Sequence, residues 1–350
     1  MRIVVDTMGG DHAPAATIAG ALKALADEEF EDLEIILVGP EQAIRGELRH
    51  HHYPARRLQI APAEQVVTMK ESPTKAVKHK PRSSIAIGMN LLKSNEAEGF
   101  VSAGNTGAVL TSSLLSLGRI PGVHRPTIGS YLPSIRGGCV IFDVGANPDA
   151  KPVNLLQFAI MGAIYTRQIF GIDNPKVGLL NIGEERTKGN NVVIDAYGML
   201  EQEVANFIGN IEGRDILRGK ADLVICDGFV GNILLKFGES VVDVLTEKAK
   251  YQITNKPFAT LGAFLMKPVV KKIAREFNYE EYGGVPLLGI NGVSIISHGS
   301  STSKAIKNAI GVARKMVRKR INEIIREEVE IHQIPSPHIP QVDDPLIPQG

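Results

Sequence analysis

The chain has 350 residues, 43% of them hydrophobic and 22% charged, the balance of a folded protein with a sizeable core. A net charge of +1 and an aromatic content of 5% with no Trp argue against a nucleic-acid binder, which needs a basic stripe or stacking platforms. No CxxC or HExxH spacing suggests zinc, so no metal and no cofactor are expected. No run of about eighteen apolar residues is present to span a membrane.

The opening MRIVVDTMGG leads directly into a strand and carries no secretory signal. Ile3–Val5 reads as that strand, followed by the loop Gly9-Gly10-Asp11-His12. Ala15–Ala26 reads as an alanine-rich helix, Leu33–Val38 as a strand closed by Gly39-Pro40, and Glu41–Leu48 as a helix. His50, His51 and His52 are consecutive and share no helix face, so they read as a solvated loop, not a metal site. Leu58–Ile60 is a short strand. Glu64–Lys80 is polar and basic, and Pro73 is expected to break any helix there. Lys70, Lys75, Lys78, Lys80 and Arg82 cluster around it. Ser84–Lys93 is a helix leading into the strand Gly99–Ala103, which is followed by Gly104-Asn105-Thr106-Gly107 and the helix Ala108–Leu117.

Thr127–Pro133 and Cys139–Val144 read as strands, Pro152–Phe170 as a helix, Val177–Ile182 as a strand, Asn191–Glu203 as a helix and Phe207–Ile211 as a strand. Leu223–Cys226 and Val293–Ile296 complete the strands, and Ser303–Glu330 reads as one long helix with an apolar stripe. Cys139 and Cys226 sit within strand patterns and are expected to be buried and reduced, which fits a cytosolic protein. Residues 248–276 break the alternation. They carry seven Lys or Arg and no acid before Glu276, around an apolar middle that includes Phe264, Leu265 and Met266. Such a segment reads as a helical arm for an anionic membrane surface or as a dimer core. Lys267, Lys271 and Lys272 are its candidate contacts, and Pro257 and Pro268 are expected to limit a single helix. The tail 334–350, with five prolines, is expected to be disordered. The alternation of strands and helices predicts a three-layer α/β/α sandwich on a mainly parallel sheet, one catalytic domain over 1–333.

Six of the strands end in loops bearing Gly with Asn, Asp, Ser or His. These are GGDH at 9–12, GNTG at 104–107, GANPD at 145–149, GEERTKGN at 183–190, DGFVGN at 227–232 and SHGSS at 297–301. Ligands bind beyond strand C-termini in open α/β sheets, so the six loops predict a composite anion site on one rim. Helix N-termini behind such loops favour phosphate or an oxyanion. There is no GxxxxGK[ST], GxGxxG or GxSxG motif, which lowers the case for triphosphate hydrolysis, dinucleotide binding and α/β-hydrolase chemistry.

MGGDHAP, SAGNTGA at 102–108, DVGAN at 143–147, NIGEE at 181–185, KGN at 188–190, CDGFVGN at 226–232 and YGGVPLLGINGVSIISHGSS at 282–301 occur in that order. Together they resemble the PlsX family of bacterial phosphate acyltransferases, over residues 1 to about 330. The resemblance implies a fold like that of isocitrate and isopropylmalate dehydrogenases and phosphotransacetylase. It implies that acyl-[acyl carrier protein] and inorganic phosphate give acyl phosphate and free carrier protein. A glycerol-3-phosphate acyltransferase would then consume the acyl phosphate in phospholipid synthesis. It further implies a homodimer, cytoplasmic and peripheral to the membrane.

Under that resemblance Lys188 neutralises phosphate or the oxyanion, Asn232 donates to the carbonyl or phosphate, and His298 protonates the leaving thiolate. Asn105, Thr106 and the Gly107 amide cradle phosphate, with Gly10, Asp11, Asn147, Gly299 and Ser300 around them. Lys70–Arg82 and Lys248–Arg275 are the two basic surfaces for an acidic carrier protein. An acyl-CoA-dependent phosphotransacetylase and a non-catalytic membrane scaffold remain as alternatives, with an NAD-dependent dehydrogenase a distant third because no cofactor fingerprint supports it.

Overall fold

The computed structural model describes residues 1–253, 257–276 and 279–332, so the tail 334–350 lies outside the described residues. The strands are β1 (Arg2–Asp6), β2 (Glu34–Gly39), β3 (Leu58–Pro62), β4 (Gly99–Ser102), β5 (Thr127–Ser134), β6 (Gly137–Phe142), β7 (Val177–Leu180), β8 (Phe207–Ile211), β9 (Leu223–Ile225), β10 (Val285–Leu288) and β11 (Val293–Ile296). They form one sheet in the order β3-β2-β1-β4-β11-β10-β5-β6-β9-β7-β8. Only the pairs β10–β11, β10–β5 and β5–β6 are antiparallel, so the sheet is mainly parallel as expected.

The helices are α1 (Ala15–Leu25), α2 (Glu41–Leu48), α3 (Pro73–His79), α4 (Ser84–Lys93), α5 (Thr106–Leu117), α6 (Pro152–Tyr165), α7 (Asn191–Glu203), α8 (Gly213–Arg218), α9 (Gly228–Ile253), α10 (Pro257–Glu276), α11 (Ser303–Arg318) and α12 (Ile321–Ile331). Alternate strand residues feed two cores, one on each sheet face. Ile3, Val5, Val140 and Phe142 pack with α1, α2, α6, α7, α11 and α12. Val4, Phe100, Cys139 and Ile141 pack with α3, α4, α5 and α8. This is the three-layer sandwich. Cys139 and Cys226 are buried and free, and burial pushes the Cys139 thiol up to about 12.

Three local expectations change. Pro73 opens α3 instead of breaking it, because proline at the first helical position loses only an N–H that has no helical partner. Pro268 lies inside α10, on an exposed stretch where water can satisfy the carbonyl it frees. The long C-terminal helix is two helices, α11 and α12, separated at Arg320, whose φ is 52°.

The larger correction concerns strand direction. β1, β2, β3, β4 and β11 run one way, and β6, β7, β8 and β9 run the other, because β10 and β5 reverse the sense between them. The six glycine-bearing loops therefore do not share one rim. Those after β1, β4 and β11 leave one end of the sheet, and those after β6, β7 and β9 leave the other. The two sets still meet at the waist, where β10 and β11 have four residues each. Four residues span about 13 Å.

Candidate active site

A cleft of about 530 Å³ lies at this waist, on the sheet face of the second core. Its volume suits a small-molecule site. Its floor is apolar, from Ile128, Val144, Val285 and Ile296, and Leu110 of α5 and Leu235 of α9 flank it. Tyr131 and Tyr282 also line it, their rings 4.0 Å apart.

One wall comes from the loops after β1, β4 and β11. Asp6, at the end of β1, is buried and accepts from the Ser102 hydroxyl at 2.7 Å and the Met8 N–H at 3.1 Å. Burial raises its pKa more than these hydrogen bonds lower it. The Asp11 N–H donates to Gly299 O at 2.7 Å and the Ser297 N–H to Ser102 O at 2.8 Å, so the three loops are laced together. Gly10 has φ +98°, and a Cβ there would stand 2.9 Å from Gly299 O, which explains the glycine. Gly104, Thr106, Gly107, Asp11, His298 and Gly299 face the cleft from this wall. The Thr106 and Gly107 N–H groups, at the start of α5, have no acceptor among the described residues.

The other wall comes from the loops after β6 and β9. The Asp143 carboxylate accepts from the N–H groups of Gly145 (3.1 Å), Ala146 (3.0 Å) and Asn147 (2.7 Å) and from the Asn147 side chain (2.6 Å). Burial raises its pKa against the pull of these donors. α9 starts hard against this loop. A Cβ on Gly231 would collide with the Asp143 carbonyl oxygen, and one on Gly228 would stand 2.8 Å from Asn147 N. The glycines of DGFVGN therefore seat the helix. Asp227 caps it by accepting from Val230 N–H at 2.8 Å. Asn232 is then one turn inside the helix, not its cap. It lines the cleft near Gly145, and its side-chain amide makes no hydrogen bond among the described residues.

The cleft thus gathers Asp11, Thr106, Gly107, Asn232, His298 and Gly299 from the sequence-based set. Gly10 sits just behind the wall, and Ser300 Oγ lies 2.7 Å from His298 Nδ1. Two predicted ligands have their amides engaged elsewhere. Asn105, 8% exposed, caps α5 through Ala108 N–H and donates to the carbonyls of Met69 and Glu71, pinning the 68–71 loop. Asn147 donates to Pro126 O and Asp143. Lys188 is exposed on the loop after β7 and does not line the cleft. The lysine that does is Lys236, four residues beyond Asn232 on the same helix face. Extending α9 past DGFVGN would have found it. Tyr131 and Tyr282 are far apart in sequence and gave no local signal.

The loop pinned by Asn105 carries a charge clamp. Glu71 pairs with Lys80 at 2.7 Å and accepts from Thr68 N–H at 2.9 Å. Lys80 and then Thr68 hold its carboxyl down from 4.5 to about 2. A depressed folded-state pKa means the clamp is intact above about 4.5 and is lost as pH falls toward about 2. Pepsin cleavage near Met69 should therefore rise over that window in the native protein. A Glu71→Gln variant lacks the clamp at every pH and so reports pepsin's own pH dependence; it should be cleaved faster than wild type near pH 4.5 and at the wild-type rate near pH 2. Wild-type cleavage that tracks Glu71→Gln at every pH would remove the clamp.

The family model described as fatty acid synthesis protein matches residues 1–324. A phosphate acyltransferase of Heliobacterium modesticaldum is 51% identical over 94% of this chain and 98% of its own. The chain belongs to the phosphate acyltransferase (PlsX) family. Another family member, the phosphate acyltransferase of Desulfitobacterium hafniense (strain DSM 10664 / DCB-2), is 52% identical over 94% of this chain and 98% of its own. The fold is shared with a phosphotransacetylase from Streptococcus pyogenes, with a TM-score of 0.57 at 20% identity over 90% of this chain and 94% of that one. A branched-chain phosphotransacylase from Enterococcus faecalis has a TM-score of 0.56 at 12% identity over 91% and 99%. The protein is thus an acyltransferase by family, as the seven motifs implied.

Proposed function

We propose that the protein transfers an acyl group from acyl carrier protein to inorganic phosphate, releasing acyl phosphate for phospholipid synthesis. The observation that carries this is the waist cleft, which joins an apolar floor to a wall of unspent helix N-terminal amides. An acyl chain fits the floor, and phosphate fits the amides. Inorganic phosphate near neutral pH is present as monoanion and dianion in comparable amounts, its second ionisation lying roughly one unit above the ~6 of a phosphate monoester. It can attack a thioester without a strong base, and a thiolate of pKa about 8.5 leaves readily. No acyl-enzyme is needed.

Asn232 then donates to the carbonyl oxygen from the opposite wall, and His298, which lines the cleft, protonates the thiolate. Lys236 offsets the acids Asp11 and Glu239 inside the cleft. Lys188 keeps its neutralising role only within a homodimer, carried by a second copy. α9 supports such a dimer by exposing Phe229, Ile233, Phe237 and Val244 along its length. α10 suits an anionic membrane surface. Phe264 and Leu265 are 69% and 70% exposed beside exposed Met266, Lys267, Lys271 and Lys272. No described helix is long and apolar enough to cross a membrane. Lys70, Lys75 and Lys78 make no ion pair among the described residues and remain available to an acidic carrier, whereas Lys80 and Arg82 are paired with Glu71 and Glu64.

The test is thiol release from long-chain acyl carrier protein, with and without inorganic phosphate. Strictly phosphate-dependent release, with acyl phosphate trapped by hydroxylamine, is expected. Phosphate-independent release would mean a thioesterase, and faster release from acyl-CoA than from the carrier at equal concentration would move the donor to coenzyme A.

A further inference from the structure

β10 lies beside only the start of β5. Leu287 pairs with Ile128 and Leu288 with Thr127, whereas β5 runs on to Ser134 with β6 on its other side. Among the described residues, no strand covers the other edge of β5 beyond this point. The chain enters β10 through Gly283 and Gly284, both at positive φ. A Cβ on Gly283 would stand 2.4 Å from the Asn308 backbone of α11, so this turn brings Tyr282 in from the first-core face. Ile128, Val144 and Ile296 belong to the second core, while Tyr131 packs against the first, yet all four line one cleft. The cleft therefore enters the gap in the sheet where β10 runs out, and Tyr131 and Tyr282 stand in that gap.

Both rings are fixed in place. The Tyr131 hydroxyl donates to Gly137 O at 2.9 Å, and a Cβ on Gly138 would stand 2.0 Å from that hydroxyl oxygen. Glycine at 138 thus lets the ring lie across β6. Tyr131 stacks on Phe170, just beyond α6, with centroids 5.1 Å apart, and packs against Tyr282 at 4.0 Å. The Tyr282 hydroxyl donates to Glu276 O at 2.7 Å. A chain lying on the apolar floor gains with each methylene it buries, until it meets a ring that cannot move aside. Beyond that length it must overpack the site or withdraw its reacting end.

We propose that the Tyr131–Tyr282 pair is the end stop of the acyl site and sets the longest acyl chain the protein accepts. This assignment rests on the proposed phosphate acyltransferase reaction. It is tested with the full-length protein in the thiol-release assay, using acyl carrier proteins whose chains lengthen two carbons at a time. The readout is the ratio of kcat/KM between chain lengths, because a loss of folded protein lowers every length alike. In the wild type this ratio should fall sharply past one length. Tyr131→Ala should move that fall to longer chains, raising the preference for the first excluded chain over the last accepted one by about tenfold or more. Tyr131→Phe, which keeps the ring, should keep the wild-type profile. Tyr282→Ala, at the half-buried partner ring, should shift the profile in the same direction and carries the test if Tyr131→Ala does not fold.

An active wild type whose chain-length profile is unmoved in the folded alanine variants would overturn the end stop and leave the reaction standing. So would a uniform fall in kcat/KM at every length, which would place the rings against a part of the donor common to all chains. The same shift in Tyr131→Phe would assign the limit to the hydroxyl and overturn the ring as the stop. A wild type with no phosphate-dependent release at any length would overturn the reaction and the end stop together.

Discussion

Asn232→Ala is expected to lower kcat by about 10²–10³, the usual effect of removing one oxyanion donor. Asn232 lines the cleft one turn inside α9, and its amide is not used elsewhere among the described residues. The helix is capped by Asp227, so the substitution removes no cap. Alanine is also the better helix former, so Tm should hold or rise slightly. A large fall in kcat at unchanged KM and Tm would identify a donor used in the transition state. A fall in Tm that accounts for the lost activity would make Asn232 structural, and activity within threefold of wild type would end its catalytic assignment. Lys188→Ala in the same assay addresses the homodimer. Loss of turnover with Tm unchanged would support a cleft completed by a second copy, and normal turnover would leave Lys236 as the cleft's working cation.

Asp143→Ala is expected to destabilise the protein by about 3–5 kcal/mol, the cost of leaving several buried N–H donors without their acceptor. Three successive backbone N–H groups and the Asn147 side chain converge on this carboxylate. Each buried donor left without an acceptor costs about 1–3 kcal/mol, and water entering from the cleft would relieve part of the sum. Asp143→Asn keeps the shape and one acceptor oxygen, so its loss should be smaller. Urea unfolding of both variants measures the difference. A loss below about 1 kcal/mol for Asp143→Ala would mean that the loop does not depend on the carboxylate. Activity should fall with stability, because Gly145 lies beside Asn232 and the carbonyl of Asp143 seats Gly231.

Local chemistry carried most of the elements. Short apolar runs bounded by turn residues mark nearly every strand of the sheet, with β10 the exception. β10 sits in VPLL, between glycines and with a proline in its short run, where the strand pattern is weakest. Asn105, of a residue type that commonly caps helices, stands just ahead of α5 and caps it. Both cysteines fell in strand patterns and are buried.

The sequence alone determined the family, the alternation of strands and helices, and the loops that carry glycine, because turn chemistry and periodicity act over a few residues. Only the tertiary structure decided which loops meet. β10 and β5 reverse the sheet between its two parallel blocks, so strand ends that look equivalent in sequence leave opposite ends of the sheet. It also decided which polar groups are left free. The amides of Asn105 and Asn147 are used by carbonyls and a carboxylate of the chain itself, while Asn232 faces the cleft unbonded. A side chain's partners are set by segments brought from far along the chain, and no local pattern encodes them.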